Sequence, residues 1–448
     1  MTPGYHEMKD MPFSYNADDG LLYSSPCRGV WNIVHYGLLV PEGHQIYVCP
    51  TSCLRGVVLT TAEMGAMDHL STITVGEDNI LNGDMEEELL HGTEKILNTL
   101  KKRPRMVMIF TSCIHHFLAV NYQRVYRLLR KEYPDIDFID CYMDPIMRRK
   151  IPADPSLRRQ ILRVLKKAPK DPKRCSFVGN CFPMNEYCDI YQHLVSNGIA
   201  ISDLTTMKNY DEFRLMETSF VNFTFQRKAD WAGKDLEIRL QQRWVSLHNG
   251  YDYDRIDADM DRASEAMNIP APREEEIRKQ RELTDRAVDH CRKTLAGTPV
   301  SLDYTAVENP LELALFLIEK GFHVESVLID SIVESKEVFE ALQKRAPHLK
   351  VYSSLDPSMR QVLRSHEGKL VAIGQKSAYF NETDYFVNMT ENAGMYGYRG
   401  IRRLMELVEE AAAKKKPMRD LVQHKGWHAG PSFEDLCEME RRREAGNV

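Results

Sequence analysis

The chain has 448 residues, 43% of them apolar, enough at roughly 150 residues per domain for about three domains. Its net charge of −6 and a pI near 6.2 exclude the basic footprint of a nucleic-acid binder, and no apolar run approaches the roughly 20 residues of a membrane helix. The N-terminal stretch MTPGYHEMKDMPFSYNADDG lacks the basic-then-apolar signature of a secretory signal, so a cytoplasmic location is expected, without membrane or nucleic-acid partners. Ten cysteines there argue against a disulfide framework. Most serve as small buried hydrophobes, and a subset points to metal or redox chemistry.

Short apolar runs alternate with longer segments of helical period, the pattern of stacked α/β units with parallel sheets. Residues 44–50, 106–113 and 135–143 read as strands, and residues 85–102 and 114–133 as helices. Leu118, Tyr122, Val125 and Leu129 form the apolar stripe of the second helix. The KKAPKDPK stretch at 166–173 marks a domain boundary. Beyond it come a strand at 174–180, a helix at 186–198, a strand at 221–225 and a helix at 230–244 with Leu236, Leu240 and Trp244 as its stripe. Residues 255–297 read as a charge-rich helical connector packed by one face. A third unit opens with a strand at 299–304 and a helix from Pro310 to Gly321. It continues with strands at 324–329, 349–353 and 370–373, and a polar tail follows from Lys414. The expectation is an α/β chain of three Rossmann-like domains with mostly parallel sheets, joined around a central cleft. The domains span residues 1–172, 173–297 and 298–420, with a C-terminal tail at 421–448.

No GxxxxGK[ST] stretch is present, so the chain has no P-loop with which to hydrolyse ATP. No GxGxxG follows an expected strand. Gly394, Gly397 and Gly400 sit in a Tyr-rich loop and make only a weak phosphate signal, which disfavours an ordinary nicotinamide dehydrogenase.

Four N-terminal cysteines form the informative constellation: Cys27 in SSPCRG, Cys49 and Cys53 in VCPTSCLRG, and Cys113 in IFTSCIHH. Cys113 stands where an apolar strand gives way to a helix, whose free N–H groups favour thiolate. Cys53 follows a strand in the same way. Arg55 beside it adds positive charge, and Gly56 lets backbone approach a bulky group. Iron–sulfur clusters take thiolates from separate loops when a rigid scaffold aims them at one point. No compact CxxC motif is present, so spacing alone leaves buried packing as the competing reading.

At these residues the sequence resembles nitrogenase component 1 and its relatives, the nitrogenase-like reductases. The resemblance runs through Cys27, GHQIYVCPTSC ending at Cys53, the GED segment from Gly76 to Asp78, Gly83, and a strand ending in Thr111, Ser112 and Cys113. It extends more weakly through CSFVGN, AIGQK and YGYRG. The resemblance implies that Cys27, Cys53 and Cys113 ligate a 4Fe–4S or P-cluster-like iron–sulfur cluster at a subunit interface. Cys49 is expected to be a spare thiol. The implied function is the catalytic or cluster-bearing component of a two-component reductase, an oxidoreductase that receives electrons from an ATP-hydrolysing nitrogenase iron protein-like reductase. The implied assembly is a homodimer or a heteromer with a paralogous subunit, acting on a small-molecule substrate.

The family's active-site subunit anchors its large cofactor with one Cys in the second domain and one His in the third. The corresponding stretches here, residues 221–231 and 381–394, hold neither; the first offers Gln226, Arg227 and Lys228. The resemblance therefore favours either a partner of a paralogous active-site subunit or a reductase of an organic or tetrapyrrole substrate between the domains. The rivals are a cofactor-assembly scaffold without turnover and an iron-free binding protein. His115 and His116 are candidates for proton supply or cluster tuning, with helix capping or surface placement as the alternative. Cys175, Cys181 and Cys188 would form a second metal site only if the fold collected them, and Cys141, Cys291 and Cys437 read as packing or surface residues.

Overall fold

The computed structural model describes residues 4–17, 29–143, 152–247, 250–361 and 368–423. It begins with β1 (His6–Glu7), whose strand mates come late in the chain.

The first unit contains α1 (Ile33–Leu38), β2 (Gly43–Cys49), α2 (Thr51–Glu63), β3 (Leu70–Thr74), α3 (Glu77–Asn82), α4 (Met85–Thr99), β4 (Met106–Thr111), α5 (Cys113–Phe117), α6 (Tyr122–Glu132) and β5 (Asp137–Tyr142). Its four strands lie parallel in the order β3-β2-β4-β5. The central strands β2 and β4 are buried along their whole length, and β4 reads as a nearly continuous apolar run. Along β4, Met106, Met108 and Phe110 enter one core while Val107 and Ile109 enter the core on the opposite face, as a two-residue repeat requires.

The second unit contains α7 (Ala153–Ile161), β6 (Asp171–Phe177), α8 (Asp189–Ser196), β7 (Ala200–Asp203), α9 (Tyr210–Arg214), β8 (Ser219–Thr224), α10 (Asp230–Leu240) and β9 (Arg243–Ser246). The sheet is parallel in the order β7-β6-β8-β9. Leu157 and Ile161 of α7 and Leu236 and Leu240 of α10 share one apolar core with Tyr47 and Phe110 of the first sheet. Helices α11 (Tyr253–Met267) and α12 (Glu274–Leu295) lead onward. In α12, Thr284, Val288, Cys291 and Leu295 are buried at spacings of one helical face, and most of the remaining residues are charged.

The third unit contains β10 (Val300–Asp303), α13 (Pro310–Glu319), β11 (Val324–Leu328), α14 (Lys336–Arg345), β12 (Lys350–Tyr352), β13 (Val371–Ile373), α15 (Gln375–Asn381), β14 (Phe386–Val387), α16 (Gly397–Ala413) and α17 (Met418–Gln423). Its sheet runs β1-β12-β11-β10-β13-β14, parallel except for antiparallel β1 at the edge. The N-terminal residues therefore lie on the third sheet rather than beside the cysteine-bearing one, with Met8 and Met11 in its core.

Four local expectations change. The single helix at 114–133 breaks at Ala119, whose φ of 51° is left-handed, and Leu118 is exposed instead of joining the stripe. Trp244 belongs to β9, where it packs over Gly233 of α10; a Cβ there would meet the indole at 2.4 Å. The edge strands β3, β7, β9 and β14 were not among the expected elements. The tail is docked as far as α17, where Met418 and Val422 are buried and Lys416 Nζ donates to the Phe386 carbonyl at 3.0 Å. No described helix is long and apolar enough to cross a membrane.

Candidate active site

In an open parallel sheet, ligands gather outside the carboxyl ends of the strands, at the point where strand order reverses. In the first sheet that point lies between β2 and β4, which pair from Gly43↔Met106 to Val48↔Thr111. Chain continuation from these two strands carries Cys53 in the first turn of α2 and Cys113 as the first residue of α5. Cys53 is exposed and Cys113 half-buried, so both thiols stand on one open edge. Cys49, still within β2, points into the core that contains Tyr47 and Phe110. Burial pushes its thiol up to about 12, with further contributions from nearby Cys53 and Cys113. Cys49 is thus a protonated, packed thiol behind the two accessible ones.

Cys27 lies outside the described residues, as does Cys437. Among the described residues no three His, Cys, Asp or Glu side chains converge as a metal site. Two thiols at adjacent strand ends nonetheless fit part of an iron–sulfur ligand set: they are soft donors, accessible, and carried by a rigid sheet. The break at Ala119 leaves α5 only five residues long, so the helix-dipole contribution expected at Cys113 is small. His115 is fully buried against Tyr122, with Nδ1 3.4 Å from Ser112 Oγ; burial lowers its pKa to about 4, so the ring is neutral near pH 7. Buried and neutral, it is a fixed prop for the Ser112–Cys113 turn, whereas His116 is exposed. Phe117 is 70% exposed and Leu118 43% on α5 and the turn after it, and Leu59 is 51% exposed on α2.

A second site forms where the other two switch points face each other. After β8 the chain places Gln226, Arg227 and Lys228; after β10 it places Tyr304; and from the loop between β14 and α16 comes Glu391. These residues, with Val30 of the first unit, line a cavity of about 330 Å3. Lys228 Nζ sits 2.8 Å from Glu391 Oε1, which also accepts the Trp31 backbone N–H at 3.0 Å. Burial pushes the Glu391 carboxyl up, but Lys228 and Arg158 outweigh it and hold the group below its ordinary value. Behind the pair, the fully buried Arg158 binds both Asp154 oxygens at 3.0 and 3.2 Å, donates to the Gly179 carbonyl and to Cys181 Sγ, and stacks on Tyr36 at 4.3 Å. Three units therefore meet at one buried charge network.

The loop that delivers Glu391 is left-handed at four successive residues, Glu391, Asn392, Ala393 and Gly394. The three that are not glycine cost on the order of 1–3 kcal/mol each and persist where surroundings over-determine them. Here the Glu391 and Asn392 N–H groups donate to the Thr305 and Ala306 carbonyls, both at 2.8 Å.

Cys175, Cys181 and Cys188 are all buried but not collected: Cys181 contacts Arg158, Cys188 lies 3.7 Å from Met184 Sδ, and Cys175 is packed in the second sheet's core. Cys141 and Cys291 are packing residues. The pairing of Lys228 with Glu391 carried no sequence signal, because it is a contact between units, and Arg158 carried none because Gly179, Cys181 and Tyr36 are far from it in the chain.

No curated protein matches the chain. Among solved structures, nitrogenase Cp1 at pH 6.5 superposes with a TM-score of 0.66 at 14% identity, covering 90% of this chain and 95% of that one. Nitrogenase Cp1 at pH 5 gives 0.61 at 11% identity, covering 93% and 95%. At these identities the likeness is one of fold. The model of the nitrogenase component 1 type oxidoreductases matches residues 43–412, spanning all three sheets, and the chain belongs to that family.

Proposed function

We propose that the chain is the cluster-bearing component of a two-component reductase, taking electrons from a separate ATP-hydrolysing iron protein. The observation that carries this reading is the placement of Cys53 and Cys113 on one exposed edge, at the switch point of the first sheet. An iron–sulfur cluster, when bound, supplies one-electron storage and relay. Cys53 and Cys113, with Cys27, would hold it as thiolates. Three thiolates leave a cubane one ligand short, so the remaining ligand comes from a second subunit or a group other than Cys.

Exposed apolar side chains on the same two helices support that assembly. Phe117, Leu118 and Leu59 offer a contact face to a second copy or a paralogous subunit, and their burial would exclude water from the thiolate edge. Cys49 stays behind as packing, and His115 braces the turn before Cys113. The substrate is a small molecule taken into the cavity where the second and third sheets meet.

The test is reconstitution of the anaerobically purified chain with an iron protein, ATP and dithionite. Reductive turnover that disappears in Cys113→Ala is the expected result. A bound cluster that only transfers to an acceptor protein, without turnover, would assign the chain as an assembly scaffold instead.

A further inference from the structure

The family's large metal–sulfur cofactor does not fit the cavity between the second and third sheets. The stretches that would anchor it present Gln226, Arg227, Lys228 and Glu391, with no Cys or His. Lys228 is a protonated amine already paired to Glu391, and a carboxylate so paired is a weak competitor for soft iron. Cys181 is buried beside Arg158, and burial pushes its thiol up to about 12.

What the cavity does offer follows from its charges. Lys228 answers Glu391, and the Glu308 carboxylate also acts on it. Asp330 accepts hydrogen bonds from the Ser353 hydroxyl at 2.9 Å and from the Ser354 N–H and hydroxyl, and Lys376 Nζ donates to the same Ser354 hydroxyl at 2.8 Å. Arg227 is different. Its side chain is exposed, it draws the nearby Asp230 carboxyl down, and it makes no ion pair among the described residues. It lines this cavity and also a neighbouring one of about 430 Å3 that Asp230 shares. Val30, Pro310, Val333 and the Tyr304 ring supply apolar wall. At about 330 Å3 the space is at the low end of small-molecule sites, roughly 300–1,000 Å3, which suits one or two rings better than a macrocycle.

We infer that this cavity binds a small, metal-free organic carboxylate, whose apolar body lies between Tyr304 and Val333 and whose carboxylate is held by Arg227. A planar guanidinium binds carboxylate through two parallel hydrogen bonds, which a neutral amide cannot reproduce. The inference rests on the reductase reading only in calling that ligand a substrate; the binding stands independently.

The experiment is calorimetric titration of the full-length, anaerobically purified chain with benzoate and with its neutral counterpart benzamide. The expected result is benzoate binding at least ten-fold tighter than benzamide, with the difference erased in Arg227→Gln. Val333→Trp, which fills the cavity and leaves Arg227 in place, should abolish both. Equal binding of the two probes, no benzoate binding, or full binding in Val333→Trp would overturn the inference, the last because it puts the anion on the outer surface. A chain that binds benzoate yet carries no iron would sink the reductase reading and leave this one standing. Iron without benzoate binding would do the reverse.

Discussion

Lys228 Nζ and Glu391 Oε1 stand 2.8 Å apart, joining the second sheet's switch-point loop to a loop of the third unit. The Glu391 side chain is 1% exposed and also receives the Trp31 N–H, so one carboxylate ties together residues from all three units. Removing one partner of a buried pair strands the other charge and typically costs about 3–5 kcal/mol. Lys228→Met is therefore expected to destabilise by about that amount. Adding Glu391→Gln should recover part of the loss, because the stranded charge is gone. Urea midpoints of the two variants check this, and equal stability of Lys228→Met and the parent chain would contradict it.

Gly394 ends the left-handed run after Glu391, with a φ of 77°. A Cβ there would lie 2.2 Å from the Pro183 carbonyl oxygen of the second unit, backbone that has no room to yield. Gly394→Ala should cost more than about 2 kcal/mol through strain and clash together. Thermal unfolding reads the loss, and limited proteolysis should report looser contact between the units.

His44, the second residue of β2, is buried with Nε2 2.8 Å from Ser71 Oγ. Burial, reinforced by His69, lowers its pKa from 6.5 to about 4. Between these values the unfolded chain binds the proton and the folded chain does not, so stability falls as pH drops from about 6.5 towards 4. The contribution is on the order of 1–3 kcal/mol once solvent access is allowed for. His44→Asn should make that part of the stability–pH curve shallower, the buried His115 supplying a similar remaining share, measured by urea titration between pH 7 and pH 4.5. An unchanged slope would show that His44 is not the group responsible.

Phe117 projects from α5, the helix that begins at Cys113. Phe117→Asp leaves the core untouched and should weaken self-association or pairing with a paralogous subunit by ten-fold or more, with a matching loss of iron. Sedimentation and metal analysis of the same samples check both. Unchanged association would move the contact face elsewhere.

The sequence and the fold agree most closely where local chemistry decides. The placement of Cys53 and Cys113 just beyond two strands was legible in the sequence, and parallel β2 and β4 bring those continuations together. The long strand β4 announced itself as an apolar run, and β2 did so through Ile46, Tyr47, Val48 and Cys49. Short edge strands such as β3 and β9 are half-exposed and mix polar with apolar residues, so no run marks them. The helix break at Ala119 has no Gly or Pro to signal it. The Lys228–Glu391 pair was illegible for a different reason: its partners belong to separate units, and only the packing of those units selects one carboxylate from the 65 acidic residues. Arg158 is a similar case, since a buried guanidinium looks like any surface arginine until Asp154, Gly179 and Tyr36 enclose it.

The central claim is that Cys53 and Cys113 help hold an iron–sulfur cluster. Its most direct test is iron and acid-labile sulfide per chain on anaerobically purified protein, with an EPR spectrum after dithionite, for the parent chain and Cys113→Ala. The account predicts about two irons per chain for one cubane shared across a dimer, or about four for a larger shared cluster or one cubane each, with matching sulfide. It predicts loss of both metal and signal in a folded Cys113→Ala. No iron in the parent chain under any reconstitution, or full iron retained in the variant, would return these cysteines to ordinary side chains on a sheet edge.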